Sequence, residues 1–356
     1  MFRESLCIKV PKIYGEKIVI LTNKFAVVNR ELKIQKDADF IYVPLVRQLQ
    51  ENELKAFMEQ VFDFQLSTHI FPERKKSVKT FVELVEAKLP RHLLAGLPRA
   101  IDIVGDIAIV DVPPELDAHK RVIGESVLEL YGNVRTVLAK AGAVSGTYRV
   151  REFEVIAGQS KTETVHKEHG CKYYIDLANA YFSPRLSYEH KRVASLVQKG
   201  ETIVDLFAGV GPFSVLIAKN NENVKVYSVD VNPHAVELLK KNIRLNRVEN
   251  RVYPIPGDAK QAIKERLYGA ADRLIMNLPE KAIEFVDKAC EAIKPTGGIV
   301  HLYSFVNASE KLESMKLRFT GAVEDCGRRV EKILFSRIVR ETAPYEWQAV
   351  LDAKIR

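Results

Sequence analysis

The sequence predicts an α/β protein whose largest part is a doubly wound, mostly parallel sheet that ends in an antiparallel hairpin. Two observations predict this fold. Residues 203–230 give a strand, a glycine turn, a helix and a second strand in immediate succession. Further strand signals at 252–254, 273–276 and 299–305 alternate with helical segments, and residues 332–339 and 347–355 complete the pattern as a hairpin.

The turn after the first strand is the most informative stretch of the chain. Gly209 and Gly211 give it small residues where a ligand or a helix comes close, and Pro212 suits the first helical position. A dinucleotide-binding turn needs G-x-G-x-x-G, whereas Ser214 stands here at the third glycine position. Asp205, four residues before the first glycine, would repel a pyrophosphate and attract a cationic amino-acid tail.

This turn, D-x-F-A-G-x-G-x-F, resembles the first motif of class I methyltransferases that use S-adenosyl-L-methionine (AdoMet). The second strand ends in Asp230, which we expect to accept hydrogen bonds from the ribose hydroxyls. Asp258 ends the third strand, and we expect it to accept from the adenine amine.

Length and composition limit the alternatives. The 356 residues are too many for one compact core, so two or three domains are expected. Hydrophobic residues at 47% and charged residues at 28% are typical of a soluble globular protein, and no apolar run reaches membrane-spanning length. The N-terminus lacks an export signal and no C-x-x-C pair occurs, so we expect a cytoplasmic protein. His166 and His169 have no third ligand nearby, so no metal is predicted.

The charge distribution indicates a polyanionic substrate. The net charge is +8, and residues 67–200 carry 20 basic and 16 acidic side chains, which is half of the excess. A basic segment just before the cofactor motif favours a nucleic acid, although ordinary surface lysines explain the count equally well.

We predict four segments along the chain. Residues 1–66 form a small α/β module, 67–79 a linker around Pro72, 80–170 a second α/β domain, and 171–356 the cofactor-binding domain. In the second domain, residues 147–158 are predicted as a strand in which Arg149, Arg151 and Phe153 share one face. That face is either a solvated edge or a polyanion contact, and the alternation alone leaves both interpretations open.

A longer set of motifs makes the resemblance to a methyltransferase family specific. Y-R-V-R-E, H-K-E-x-G, Y-F-S-P-R-L-x-x-E, D-L-F-A-G-V-G-P-F-S and I-M-N-L-P occur in order between about residues 145 and 300. Together they resemble the archaeal and eukaryotic tRNA (guanine-N1)-methyltransferases that act on position 37. The resemblance implies a monomeric tRNA-binding enzyme with three domains. The first would check the outer corner of tRNA, and the other two would grip the anticodon stem-loop.

The resemblance also implies the site residues. Guanine N1 carries a proton, so its methylation needs a base, and negative charge then moves to O6. By resemblance Glu189 is the base, Arg149 the O6 partner, and Asn277 and Pro279 flank the target. The cofactor residues implied are Tyr181, Arg185, Asp205, Phe207, Gly209, Gly211, Asp230, Val231, Asp258 and Asn277. Tyr181 packs against the target or the methionine end of AdoMet, or is merely structural.

The sequence also allows two functions other than guanine N1 methylation. Wybutosine-pathway relatives use the same sheet to transfer an aminocarboxypropyl group, or to methylate a tricyclic wyosine precursor. Glu189 and the N-L-P motif favour methyl transfer, and Glu280 stands where amine-specific enzymes carry an aromatic residue. A non-catalytic RNA-binding protein with a relict sheet is disfavoured, because the cofactor residues are all present.

Overall fold

The structure is a computed structural model that describes residues 2–73, 80–86, 88–142, 146–307 and 312–356. The chain divides into two compact units, Met1–Thr80 and Phe81–Arg356. Among the helices of these described ranges, none has the length and apolar character needed to cross a bilayer.

The first unit is a four-stranded antiparallel sheet covered by two helices. Its strands lie in the order β2-β3-β1-β4, and apolar residues such as Ile8, Ile18 and Phe57 form its core. The elements are β1 (Phe2–Pro11), α1 (Gly15–Lys24), β2 (Gln35–Lys36), β3 (Phe40–Pro44), α2 (Glu51–Gln60) and β4 (Gln65–Pro72).

The linker predicted at 67–79 begins too early. Gln65–Pro72 is strand β4, which pairs antiparallel with β1 from Phe2↔Pro72 to Lys9↔Gln65. Pro72 is the last strand residue, where a missing N–H costs least. Residues 74–79 of the predicted linker lie outside the described residues.

The second unit begins with a smaller mixed sheet in the order β5-β6-β7-β8. Helix α4 packs against β8 and buries Ile123 and Val127. The elements are α3 (Phe81–Glu86), β5 (Ile101–Val104), β6 (Ile107–Val110), α4 (Lys120–Leu130), β7 (Thr136–Lys140) and β8 (Phe153–Gly158). The hairpin β9 (Glu163–Glu168) and β10 (Cys171–Asp176) follows.

Two sequence-based predictions fail here. Residues 146–149 form a turn rather than the start of a strand, and Arg149 adopts φ 53 with its N–H donating to Gly146 O at 3.2 Å. The predicted domain boundary at 170 falls inside the β9–β10 hairpin. Val104 and Leu138 of the smaller sheet also share one apolar core with Tyr173 and Phe213 of the following segment.

The main sheet of the described chain has seven strands in the order β13-β12-β11-β14-β15-β17-β16. The first five are parallel, and the last two form the predicted antiparallel hairpin. Its elements are α5 (Ser187–Leu196), β11 (Thr202–Asp205), α6 (Pro212–Asn220), β12 (Lys225–Asp230), α7 (Pro233–Asn246), β13 (Val252–Pro256), α8 (Ala259–Ala262), β14 (Arg273–Met276), α9 (Val286–Ala292), β15 (Gly298–Asn307), α10 (Leu312–Asp325), β16 (Val330–Ala343) and β17 (Glu346–Ile355). The predicted doubly wound fold is therefore confirmed.

The turn between β11 and α6 has the glycines for two different reasons. Gly211 has φ 89, and a Cβ there would lie 2.3 Å from Leu239 Cδ1 of α7. Gly209 has φ 55, a conformation that favours glycine, and a Cβ there would lie 3.7 Å from Tyr181 O, an ordinary contact; its N–H donates to the Asp230 carboxylate. Helix packing therefore requires the second glycine, while the first holds the acid at the strand tip.

Candidate active site

A cavity of about 600 Å³ opens where the parallel strands end. Residues that follow β11, β12, β13 and β14 line it, together with the 146–149 turn and residues of the β16–β17 hairpin. The central strand β11 has β12 on one side and β14 on the other, so the strand order reverses here. Ligands of doubly wound sheets bind at this reversal, and the volume suits a small-molecule cofactor.

Asp230 dominates one side of the cavity. Its Oδ2 accepts from Gly209 N at 2.7 Å and its Oδ1 from Asn232 N at 2.8 Å. Burial raises the pKa of this carboxyl, and the two backbone N–H groups oppose that shift. Each carboxylate oxygen has two lone pairs, so both can still accept a hydroxyl group. Phe207, Val231 and Asp258 line the same cavity, and their contacts with a cofactor stay predictions.

Three of the predicted cofactor residues lie elsewhere: of the described lining, Asp205, Arg185 and Gly211 form no part. Asp205 is 1% exposed, and its Oδ2 accepts from Ser214 Oγ at 2.8 Å. Burial raises the pKa of Asp205 to about 7, Ser214 opposes the shift, and the charge of Asp230 adds to it. The expected contact of Asp205 with a cationic tail does not fit this position, because strand β11 directs the side chain towards α6.

Arg185, which was expected to bind the cofactor, forms an ion pair with Asp102. Its Nε lies 2.6 Å from Asp102 Oδ1 on β5, and this hydrogen bond raises the pKa of the guanidinium. The pair joins the smaller sheet to the segment that precedes α5. Arg185 thus holds two parts of the second unit together, and a direct role in cofactor binding stays a prediction.

The cavity is also lined by Arg149, Tyr181, Asn277, Pro279 and Glu280. Arg149 Nη1 lies 2.7 Å from Glu280 Oε2, close enough for an ion pair although outside hydrogen-bond angles. The guanidinium also lies 5.8 Å from the Tyr181 ring centroid. Arg149 thus reaches the cavity from a turn rather than from the predicted strand.

Among the predicted catalytic residues, Glu189 is the one that lies outside the described lining of the cavity. It is fully buried, and among the described residues the cavity is lined by Leu186 but not by Glu189. Its carboxylate accepts from Arg192 Nε at 2.9 Å, from Tyr303 Oη at 2.9 Å, and from Arg337 Nη2. The carboxylate is therefore enclosed by donors from α5, β15 and β16.

Glu189 belongs to a larger set of paired charges, which we call the buried network. It runs in the order Glu189, Arg192, Asp352, His301, Arg273 and Glu201. Burial alone would raise the pKa of Asp352, but His301 and Arg192 outweigh it and hold the pKa below its ordinary value. Burial lowers the pKa of His301.

Comparisons with known proteins agree with this geometry. The family model described as TRM5/TYW2 methyltransferase domain matches residues 164–331. Models of the TYW2 N-terminal domain and of the tRNA methyltransferase 5 N-terminal domain match 81–162 and 7–53. A relative from Pyrococcus abyssi, tRNA (guanine(37)-N(1))-methyltransferase Trm5b, is 35% identical over 352 residues, which is 99% of each chain.

The chain belongs to the TRM5/TYW2 methyltransferase family. The crystal structure of Pyrococcus abyssi Trm5b matches with a TM-score of 0.76 at 33% identity over 99% of both chains. The complex of aTrm5 with tRNALeu matches with a TM-score of 0.73 at 34% identity, covering 99% of this chain and 100% of that one. The tRNA 4-demethylwyosine(37)-methyltransferase Taw21 of Saccharolobus solfataricus is 37% identical over 257 residues, 72% of this chain and 94% of Taw21.

Arg340 and Gln348 of this TRM5/TYW2 family member line the cavity, but no sequence motif indicated them as site residues. Arg340 of β16 donates through Nε to Gln348 Oε1 at 2.9 Å, and Gln348 Nε2 donates to Asn277 Oδ1 at 3.2 Å. Arg340 also donates to Ser183 Oγ at 2.9 Å and to Tyr181 Oη at 3.1 Å. The hairpin pattern predicted their strands, but nothing in it showed that these side chains would reach the N-L-P motif.

Proposed function

We propose that this protein transfers the methyl group of AdoMet to N1 of guanosine at position 37 of tRNA, next to the anticodon. The observation that carries the proposal is the match to Trm5b over 99% of both chains, which includes the N-terminal segment 7–53. The Taw21 match covers only 72% of this chain. Action as a cytoplasmic monomer belongs to the same proposal.

The cofactor side of the cavity fits AdoMet. Asp230 keeps lone pairs free for the ribose hydroxyls, and Asp258 uses Oδ1 to accept from Lys260 N and Gln261 N, which leaves Oδ2 for the adenine amine. A structure of Methanocaldococcus jannaschii Trm5 in complex with adenosine, at 34% identity and TM-score 0.64, supports the assignment. When bound, AdoMet supplies an electrophilic methyl carbon on its sulfonium.

The protein's task on the other side is to hold the base and manage its charge. As N1 loses its proton, negative charge moves onto O6, and we assign Arg149, one of the cations that line the cavity, to stabilise it. Its approach to Glu280 and Tyr181 holds the guanidinium over the target side. The exposed rings of Tyr181 and Tyr188 suit unstacked anticodon-loop bases, because single-stranded RNA is recognised by stacking.

The proton on N1 requires a carboxylate acceptor, and two candidates stand out. Glu189 is the predicted base; for it to act, the contacts of its carboxylate with Arg337 and Tyr303 must open when tRNA binds. Glu280 already lines the cavity with its side chain 49% exposed. We propose Glu189 on the resemblance and use Glu280 as the matched comparison.

The product analysis tests the reaction. The protein is incubated with AdoMet and tRNA transcripts carrying G or A at position 37, and the nucleosides are separated by mass spectrometry. We expect N1-methylguanosine from the G37 transcript. An aminocarboxypropyl product, or no product, would refute the proposal. The 37% identity with Taw21 justifies adding a tRNA that carries 4-demethylwyosine, whose methylation would show a second substrate.

The two glutamates are tested as Glu189→Gln and Glu280→Gln. If Glu189 is the base, E189Q loses at least about 100-fold in the methyl-transfer rate at saturating tRNA, while the E280Q rate keeps its pH dependence. The single tryptophan, Trp347 on β17, reports unfolding of the second unit by fluorescence. An E189Q protein that folds normally and retains its rate would remove Glu189 as the base.

A further inference from the structure

Arg340, Gln348 and Asn277 form a row of side-chain hydrogen bonds that fixes which atoms at the cavity wall donate and which accept. Arg340 Nε lies 2.9 Å from Gln348 Oε1, and Gln348 Nε2 lies 3.2 Å from Asn277 Oδ1. Gln348 is 1% exposed, so water does not compete for its amide. Residues 277 and 348 are 71 positions apart, and the contact exists because β17 lies two strands from β14 in the sheet.

The direction of this row does not depend on how the amides are assigned. An arginine side chain has only donors, so the Gln348 atom next to Arg340 must be the oxygen. The Gln348 NH₂ group must then be the end that faces Asn277, and it can only donate. The Asn277 atom that receives it is therefore Oδ1, and the orientation of both amides follows from the arginine.

This leaves the NH₂ group of Asn277 as the part of the amide with free capacity. Within the described part of the chain, Asn277 Nδ2 makes no hydrogen bond to another residue, and Asn277 lines the cavity. Arg149, also in the lining, is likewise a donor. The target side of the cavity thus presents donors from two different segments.

We propose that Arg340 and Gln348 are specificity-determining positioning residues that fix Asn277 as a donor, so that the site selects a purine with a carbonyl at C6 and rejects one with an amine there. Guanine offers O6 as an acceptor, whereas adenine offers a donor at the same place. The inference rests on the proposed function and explains how the same site excludes adenine. A site built to hydrogen-bond one group rejects the analogue that cannot pair, because its buried polar atoms are left unsatisfied.

The test uses a mixture of equal amounts of G37 and A37 transcripts and measures the ratio of N1-methylguanosine to N1-methyladenosine. Gln348→Glu replaces the amide with an acceptor-only group, which pairs with Arg340 and then requires Asn277 to donate to it. Asn277 thereby presents its oxygen to the cavity. We expect the G-to-A product ratio to fall at least about tenfold, which corresponds to about 1.4 kcal/mol of discrimination.

Two substitutions at Arg340 distinguish a change in the donor and acceptor orientation of the amides from a loss of structural contacts. Arg340→Lys keeps a donor-only side chain and loses the fork that holds Tyr181 and Ser183, so its rate falls while its product ratio stays at the wild-type value. Arg340→Gln can either donate or accept, so its ratio falls as well. Because Arg340 is only half-buried, this pair decides the question even if Q348E does not fold.

The outcomes are distinct. If the wild-type protein makes no N1-methylguanosine, the proposed function fails, whatever the variants do. If the wild-type protein makes it and both Q348E and R340Q keep the wild-type ratio, the inference is overturned. Equal losses of both products with an unchanged ratio in Q348E and R340Q would show that Arg340 and Gln348 serve only the structure of the hairpin.

Discussion

At the cavity, Asp230 and Asp258 are held by backbone N–H groups, whereas in the buried network Glu189 and Asp352 are held by arginine and histidine side chains. The backbone contacts orient the first two acids and leave lone pairs for a ligand. The side-chain contacts occupy the other two acids with donors from several elements, including Tyr303 and Arg337, which lie more than a hundred positions from Glu189. Proximity to a cofactor motif in the sequence therefore does not show that an acidic residue contacts the cofactor.

The largest expected effect comes from breaking the buried network. Asp352→Ala leaves Arg192 and His301 without their shared partner, and removing one member of a buried ion pair costs about 3–5 kcal/mol. Urea unfolding followed by Trp347 fluorescence measures the loss. The matched cavity variant Asp258→Ala removes only a helix N-cap, with an expected cost of about 1 kcal/mol. Equal losses in the two variants would contradict the distinction between the regions.

The second prediction concerns the buried carboxyl group of Asp205. Burial raises the pKa of Asp205 to about 7, above its ordinary value of 3.8, so the folded state holds this proton where the unfolded state has lost it. Asp205 therefore makes stability decline as pH rises from about 4 to about 7, by at most about 4 kcal/mol for three pKa units. Asp205→Asn should remove this part of the slope. An unchanged dependence of the unfolding midpoint on pH would show that Asp205 is ionised throughout.

The third effect is on cofactor affinity. Asp230→Asn weakens hydrogen bonds between a carboxylate and the ribose hydroxyls, worth about 1.5–3 kcal/mol, so the Kd for AdoMet should rise about 10- to 150-fold. Isothermal titration calorimetry gives the value. Asp205→Asn is the control, because Asp205 is outside the described cavity lining and should change the Kd little. If D205N weakened binding as much as D230N, Asp205 would have to reach the cofactor after all.

The places of Gly209, Asp230 and Asp258 in the cavity lining were predictable because their signals are local. Gly209, Asp230 and Asp258 stand at the ends of consecutive parallel strands, and the fold brings such ends to one edge. The position of Asp205 was misjudged because strand alternation, rather than distance from the glycines, decides which side of the sheet a residue faces. The turn at Arg149 was missed because Gly146 permits a reversal within an otherwise strand-like run.

The target half depended on long-range pairing. Arg340 and Gln348 reach Asn277 because β17 pairs with β15 and β16 pairs with β17, with Arg340 opposite Gln348 in a register that shifts at several irregularities. No short motif encodes that register. The burial of Glu189 has the same origin, since its partners Tyr303 and Arg337 come from β15 and β16.

The cavity lining comes from two separate parts of the sequence. Residues between β11 and α8 supply Asp230 and Asp258, while Arg340 and Gln348 come from a hairpin at the other edge of the sheet. If base selection depends on that hairpin as we propose, substitutions confined to two strands would change the preferred base and leave AdoMet binding intact.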